Sequence, residues 1–156
     1  MSVAFRRDSD EEHKEPRPEL PIPVGPNLVT ARGLALIEAE VAKREAAIAA
    51  GGDEETLAPI KRELRYWHVR RATAQVTLPH DDGEVAFGSR VTFRQAGADR
   101  VIDIVGDDEA EPTAGRISFT APLARALIGA GKGDKVDFAG KTEALKILSV
   151  APIPEA

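Results

Sequence analysis

Gly106-Asp-Asp-Glu-Ala-Glu-Pro-Thr-Ala-Gly-Arg-Ile-Ser-Phe-Thr-Ala-Pro-Leu-Ala-Arg-Ala-Leu-Ile-Gly-Ala-Gly-Lys-Gly-Asp-Lys-Val136 runs an acidic loop into a short β-prone stretch, Arg116 to Phe119. An amphipathic turn of helix follows, opened by Pro122, whose missing N–H costs little at a first helical position. Glycines 129, 131 and 133 then punctuate a tight turn that leads into another β-prone stretch. Working outward, Ser89 to Arg94, Arg100 to Val105, Lys135 to Phe138 and Glu143 to Val150 are further short β-prone stretches divided by Gly, Asp and Pro. Together with the helix from about Pro122 to Ile128 they predict an antiparallel α+β domain over residues 79–156.

Upstream of Pro79 the period changes. Leu34, Ile37, Val41 and Ile48 form one helical stripe, and Leu57, Ile60, Leu64, Trp67 and Ala74 another, with Gly51-Gly52 between them. This predicts an antiparallel helical hairpin, a short coiled coil, over 30–78. Thr30 is its expected first N-cap and Gly51 the first helix's stop, while Thr56 is the expected cap of the second helix, putting Pro59 in its first turn. Residues 1–29 hold Pro16, Pro18, Pro21, Pro23 and Pro26 and a charged run from Asp8 to Glu15, and predict a flexible, Pro-rich acidic tail without helix.

Composition narrows the function classes. At 156 residues the chain can bury one ordinary core with an appended module. It has no cysteine, which excludes disulfides, Cys-based zinc sites and thiol catalysis and suits a reducing compartment. With no long apolar run and no signal-peptide pattern, a cytoplasmic location and no membrane partner are expected. The net charge of -5 is divided unevenly: residues 80–156 carry nine Lys/Arg against thirteen Asp/Glu. That balance argues against specific duplex DNA binding, which rests on many cationic contacts to phosphates. His13, His68 and His80 do not cluster, the 129–133 glycines lack a phosphate-loop pattern, and no nucleophile has a base, so no metal site of its own and no cofactor are expected.

Three groups of residues are candidates for function. Asp53, Glu54 and Glu55 lie at the hairpin tip, where they either stabilise the start of the second helix or present carboxylates to a metal held jointly with a partner. Lys61, Arg62, Arg65, Arg70 and Arg71 make a basic flank, read either as a solvated face or as a surface for acidic walls or an RNA 3′ end. Asp107, Asp108 and Glu109, with Ser118 and the Pro122-Leu123-Ala124-Arg125 segment, are either a solvated turn and a sheet-covering helix or a docking surface. Asp108 and Pro122 are expected at the surface. Trp67 is expected in the hairpin seam.

The Gly106–Gly133 region resembles the C-terminal domain of the bacterial Gre transcript-cleavage factors, where a VGDDEAD-like loop precedes an IS..SPLARALLG-like segment and a GD turn. Thr30-x-x-Gly33, Gly52-Asp53 and Ala74-Gln75-Val76 match the family's hairpin landmarks. The resemblance implies an FKBP-like C-terminal domain and a monomer. It also implies docking to the β′-subunit rim of the RNA polymerase secondary channel through Asp107, Asp108, Glu109, Ser118, Pro122, Leu123, Ala124 and Arg125. Asp53 falls on the family's tip Asp, but the following Glu-Asn pair is replaced by Glu54-Glu55-Thr56. Each hairpin arm is about ten residues shorter than the Gre pattern, roughly 15 Å less reach at 1.5 Å per residue. The short-armed relatives, usually labelled regulators of nucleoside diphosphate kinase, share that reduction.

The expected function is therefore binding at the secondary-channel entrance in competition with longer Gre factors, with no enzymatic activity of its own. The alternative is a cleavage factor whose tip places magnesium jointly with the polymerase. A third class is an adaptor whose hairpin pairs with an unrelated protein. With no Trp or Tyr after Trp67 there is little aromatic lining for a proline pocket, which argues against isomerase activity.

Overall fold

The structure, a computed structural model, describes residues 19–154. The tail expected over 1–29 thus lies largely outside the described residues, and its last part is corrected. Asn27–Val29 forms strand β1, which pairs in parallel with β2, Ala74–Val76, in the register Asn27↔Ala74 to Val29↔Val76. Val29 is buried, and the Asn27 amide donates to the Arg70 carbonyl at 2.9 Å, so the pair closes the base of the hairpin.

Helix α1 spans Ala31–Ala49, and helix α2 spans Glu54–Thr73. Thr30 caps α1, its hydroxyl accepting from the Gly33 N–H at 2.9 Å. Gly51 and Gly52, at φ +86° and +147°, adopt backbone conformations that residues with a Cβ rarely hold and turn the chain back. The cap of α2 is Asp53 rather than Thr56: the Asp53 carboxylate accepts from the Thr56 N–H at 2.7 Å. Pro59 therefore lies in the second turn, where it offers no N–H to the Glu55 carbonyl. Glu55 is exposed, so water reaches that turn.

The hairpin seam is narrow. Ile37 and Val41 are buried, while Leu57, Ile60, Leu64 and Trp67 are half-buried. Arg44 bridges the arms, its guanidinium donating to Glu63 at 3.0 Å and lying 5.8 Å from the centre of the Trp67 ring. Two helices alone cannot enclose a row of large side chains, so polar bridges finish the seam.

The C-terminal domain is a five-stranded sheet, formed by β3 (Ser89–Gln95), β4 (Ala98–Val105), β5 (Arg116–Ser118), β6 (Lys135–Phe138) and β7 (Lys141–Pro152) in the order β5-β4-β3-β7-β6. The sheet is mixed rather than purely antiparallel, because β5 pairs in parallel with β4. The loop after β4, with a 3-10 turn at Pro112–Ala114, brings the chain back to the same end before β5 begins. Helix α3, Pro122–Leu127, covers one face. Beneath it Val85, Val91, Phe93, Ile102, Ile104, Ala124, Leu127, Leu145 and Ile147 form the buried core. The architecture is α+β, a helical hairpin followed by a sheet domain.

Candidate functional site

The acidic loop expected to face solvent is instead the junction between the two parts. Gly106 starts it, and a Cβ there would come within 2.3 Å of the Leu28 carbonyl oxygen, so only glycine lets the loop cross β1. The next three residues each reach a different element.

Asp107 accepts from the Ser118 hydroxyl at 2.5 Å and the Thr120 hydroxyl at 2.9 Å, tying the loop to the approach to α3. Asp108 accepts from the Tyr66 hydroxyl at 2.5 Å and from Arg70 Nε at 2.6 Å, tying it to α2. Glu109 accepts from the Thr30 hydroxyl at 2.6 Å and from Arg32 Nη1 at 3.0 Å, tying it to the start of α1. Arg70 Nη2 also donates to Asn27 Oδ1 at 2.8 Å.

These contacts revise the candidate residues. The side chain of Asp108 is only 6% exposed and Glu109 is buried, so the surface position expected for Asp108 is wrong. Their charges are held by partners from the hairpin, as buried carboxylates require. Arg70, grouped with the solvated basic flank, is 2% exposed and is the largest fully buried side chain among the described residues. Arg65 pairs with Glu19 at 2.8 Å, and Lys61 and Arg71 stay exposed. Burial first, and then the Asp108 carboxylate, push the Tyr66 hydroxyl well above the usual tyrosine range.

In the α3 segment, Pro122 and Arg125 face outward, Leu123 packs against the core, and Ala124 is fully buried, so Ala124 offers no side chain to a partner. Ser118 is half-buried and shared with Asp107. The outward part of the candidate dock is thus Pro122, Arg125 and the partly open Asp107 edge.

At the far end of the hairpin Asp53, Glu54 and Glu55 are exposed. Hydrogen bonds from Thr56, side chain and then backbone, hold the Asp53 carboxyl below its ordinary value. Among the described residues no group of three or more His, Asp or Glu is placed to hold a metal ion. Any metal at the tip would take most of its ligands from elsewhere. The sequence left Tyr66 and Asn27 unassigned; the one signal for Arg70 was its place three residues after Trp67 on the seam.

Comparison with known proteins matches residues 79–152 to a family model described as "Transcription elongation factor, GreA/GreB, C-term". The chain is 43% identical to transcription elongation factor GreA of Vibrio parahaemolyticus over 77 residues, 48% of this chain and 49% of that one. It is 33% identical to GreA of Pseudomonas aeruginosa over 138 residues, 87% of this chain and 85% of the relative. The chain spans about half the length of the first curated relatives it matches. Among solved structures it is similar to the GreA/GreB factor of Nitrosomonas europaea (18% identity, 82% of this chain and 99% of that one, TM-score 0.40). It is also similar to GreA factor homolog 1 of Thermus thermophilus (17% identity, 81% and 99%, TM-score 0.37). No described helix is long and apolar enough to cross a membrane.

Proposed function

The chain belongs to the GreA/GreB family of transcription elongation factors, and from that membership we propose that it binds RNA polymerase at the secondary-channel entrance and competes there with longer-armed Gre factors. Family members are elongation factors rather than stand-alone enzymes, so any cleavage chemistry belongs to the polymerase.

The observation that carries the proposal is the clamped acidic loop. Asp107 fixes the loop to the approach to α3, while Asp108 and Glu109 fix it to both roots of the hairpin. A partner that grips the outward face of α3, through Pro122 and Arg125, therefore receives the hairpin in one direction. Energy gained at the dock is not lost again in ordering the hairpin.

The hairpin's reach decides between competitor and cleavage factor. Nineteen residues of α1 give about 28 Å at 1.5 Å per residue. The Gre pattern's longer arms add roughly 15 Å. Metal coordination tolerates almost none of such a deficit, since its oxygens sit within about 2.6 Å of the ion. Asp53 is in addition engaged as the cap of α2.

The cleavage-factor reading keeps one observation in its favour: Glu54 and Glu55 are exposed at the tip. Stalled, backtracked complexes incubated with this protein and magnesium test the choice. Unshortened RNA is expected, together with saturable polymerase binding; binding without effect on a long-armed factor would reject competition.

A further inference from the structure

A second concave site lies on the sheet face at the hairpin root, away from the outward face of α3. Arg90, Asp103 and Arg116 stand in one row across β3, β4 and β5, since Asp103 is paired with Arg90 on one side and with Arg116 on the other. Arg32 reaches over the row from the first turn of α1. With Val105, Glu109, Ile153 and Pro154 these residues line a cavity of about 280 Å³.

Its charge is not evenly satisfied. The lining supplies three guanidinium groups and two carboxylates. Asp103 is occupied by Arg90, which donates from Nε at 2.8 Å and from Nη2 at 3.0 Å. Glu109 is turned into the root by Thr30 and takes a single bond from Arg32 Nη1. Arg116 bonds Glu111, which lies outside the lining and is 60% exposed, a pairing that water weakens. Arg116, whose partner Glu111 lies outside the lining, and Arg32, which gives Glu109 a single bond, thus bring partly engaged planar donor forks to one cavity. Such forks match tetrahedral oxyanions. Among the described residues no aromatic side chain lines the cavity, so they offer no platform for a nucleobase.

We propose that this cavity is a phosphoryl-binding site, taking a group of the size of a phosphate or diphosphate between Arg32, Arg90 and Arg116. The source is either free diphosphate or the phosphodiester of a single-stranded RNA. The site is separate from the polymerase dock and does not depend on it.

Calorimetric titration of the full-length protein with inorganic pyrophosphate, at ionic strength matched with sodium chloride, tests the proposal. One saturable site is expected with a Kd below about 1 mM. Arg116→Gln should weaken it at least tenfold while leaving the thermal midpoint unchanged, Arg32→Gln should weaken it as much but also lower the midpoint because it strips the buried Glu109 of its cationic partner, and Arg→Lys at either position should restore part of the loss. A short single-stranded RNA that displaces pyrophosphate with the same arginine dependence identifies the diester as the source; pyrophosphate binding that the RNA leaves untouched identifies the free anion. Absence of saturable heat, or binding indifferent to both Gln variants, overturns the site.

Discussion

Asp108→Ala perturbs the junction most directly. It removes the 2.6 Å contact to Arg70 Nε and the 2.5 Å contact from Tyr66, leaving a guanidinium that is 2% exposed. Breaking one side of a buried ion pair costs about 3–5 kcal/mol, because the remaining charge is uncompensated. Two contacts pull the value to the lower end: Asn27 Oδ1 stays 2.8 Å from Arg70 Nη2, and Asp107 Oδ2 lies 3.9 Å away. A loss of about 3 kcal/mol is therefore expected, a large share of a typical domain's 5–15 kcal/mol. Replacing both partners, Asp108→Leu with Arg70→Met, should cost much less than the two single changes added together, since no charge is then left buried. Urea unfolding followed by fluorescence of Trp67, the only Trp, three residues before Arg70, reads the wild type and each of these variants. A cost below about 1 kcal/mol for Asp108→Ala, or strict additivity in the double variant, would refute the buried latch.

Three further outcomes follow from the same geometry. Tyr66 is the only Tyr, so tyrosinate absorbance reports it alone: the folded protein should ionise well above the ordinary tyrosine value of 10.0, and the unfolded protein near it. Because the folded pKa is raised, this contribution is complete below the unfolded pKa and fades as pH rises from there, a loss that Tyr66→Phe should abolish. Asp53 has a lowered pKa, so its cap holds above the ordinary aspartate value of 3.8 and is lost as pH falls through the folded value; amide exchange at Thr56 should speed up there, and at all pH values in Asp53→Ala. Pro122→Asp and Arg125→Glu should each weaken polymerase binding about tenfold, near 1.4 kcal/mol, with unchanged unfolding curves. Asp108→Arg is no test of docking, because it should disrupt the fold first.

Much of the fold was legible because its signals are local. Alternation and turn residues place β3 to β7 to within a few residues, and the two apolar stripes with Gly51-Gly52 place the hairpin. What escaped depends on distant partners. β1 and β2 are three residues each and pair across 47 positions, with no period of their own. Strand alternation carries no direction, so the parallel pairing of β5 was hidden. Asp53 and Thr56 are both good caps, and only the path of the turn chooses between them. Arg70 and Asp108 read as solvated charges because the partners that bury them stand 38 residues apart. The tip carboxylates were visible from the sequence; the junction that aims them was not.

The competition claim rests most directly on RNA cleavage in backtracked elongation complexes stimulated by a long-armed Gre factor, measured with rising amounts of this protein. The account predicts no cleavage from the protein alone and progressive suppression of the Gre-stimulated reaction. It also predicts the same suppression when Asp53, Glu54 and Glu55 are all replaced by Ala. Asp53-dependent stimulation of cleavage by this protein, or Gre activity that excess protein leaves unchanged, would contradict it.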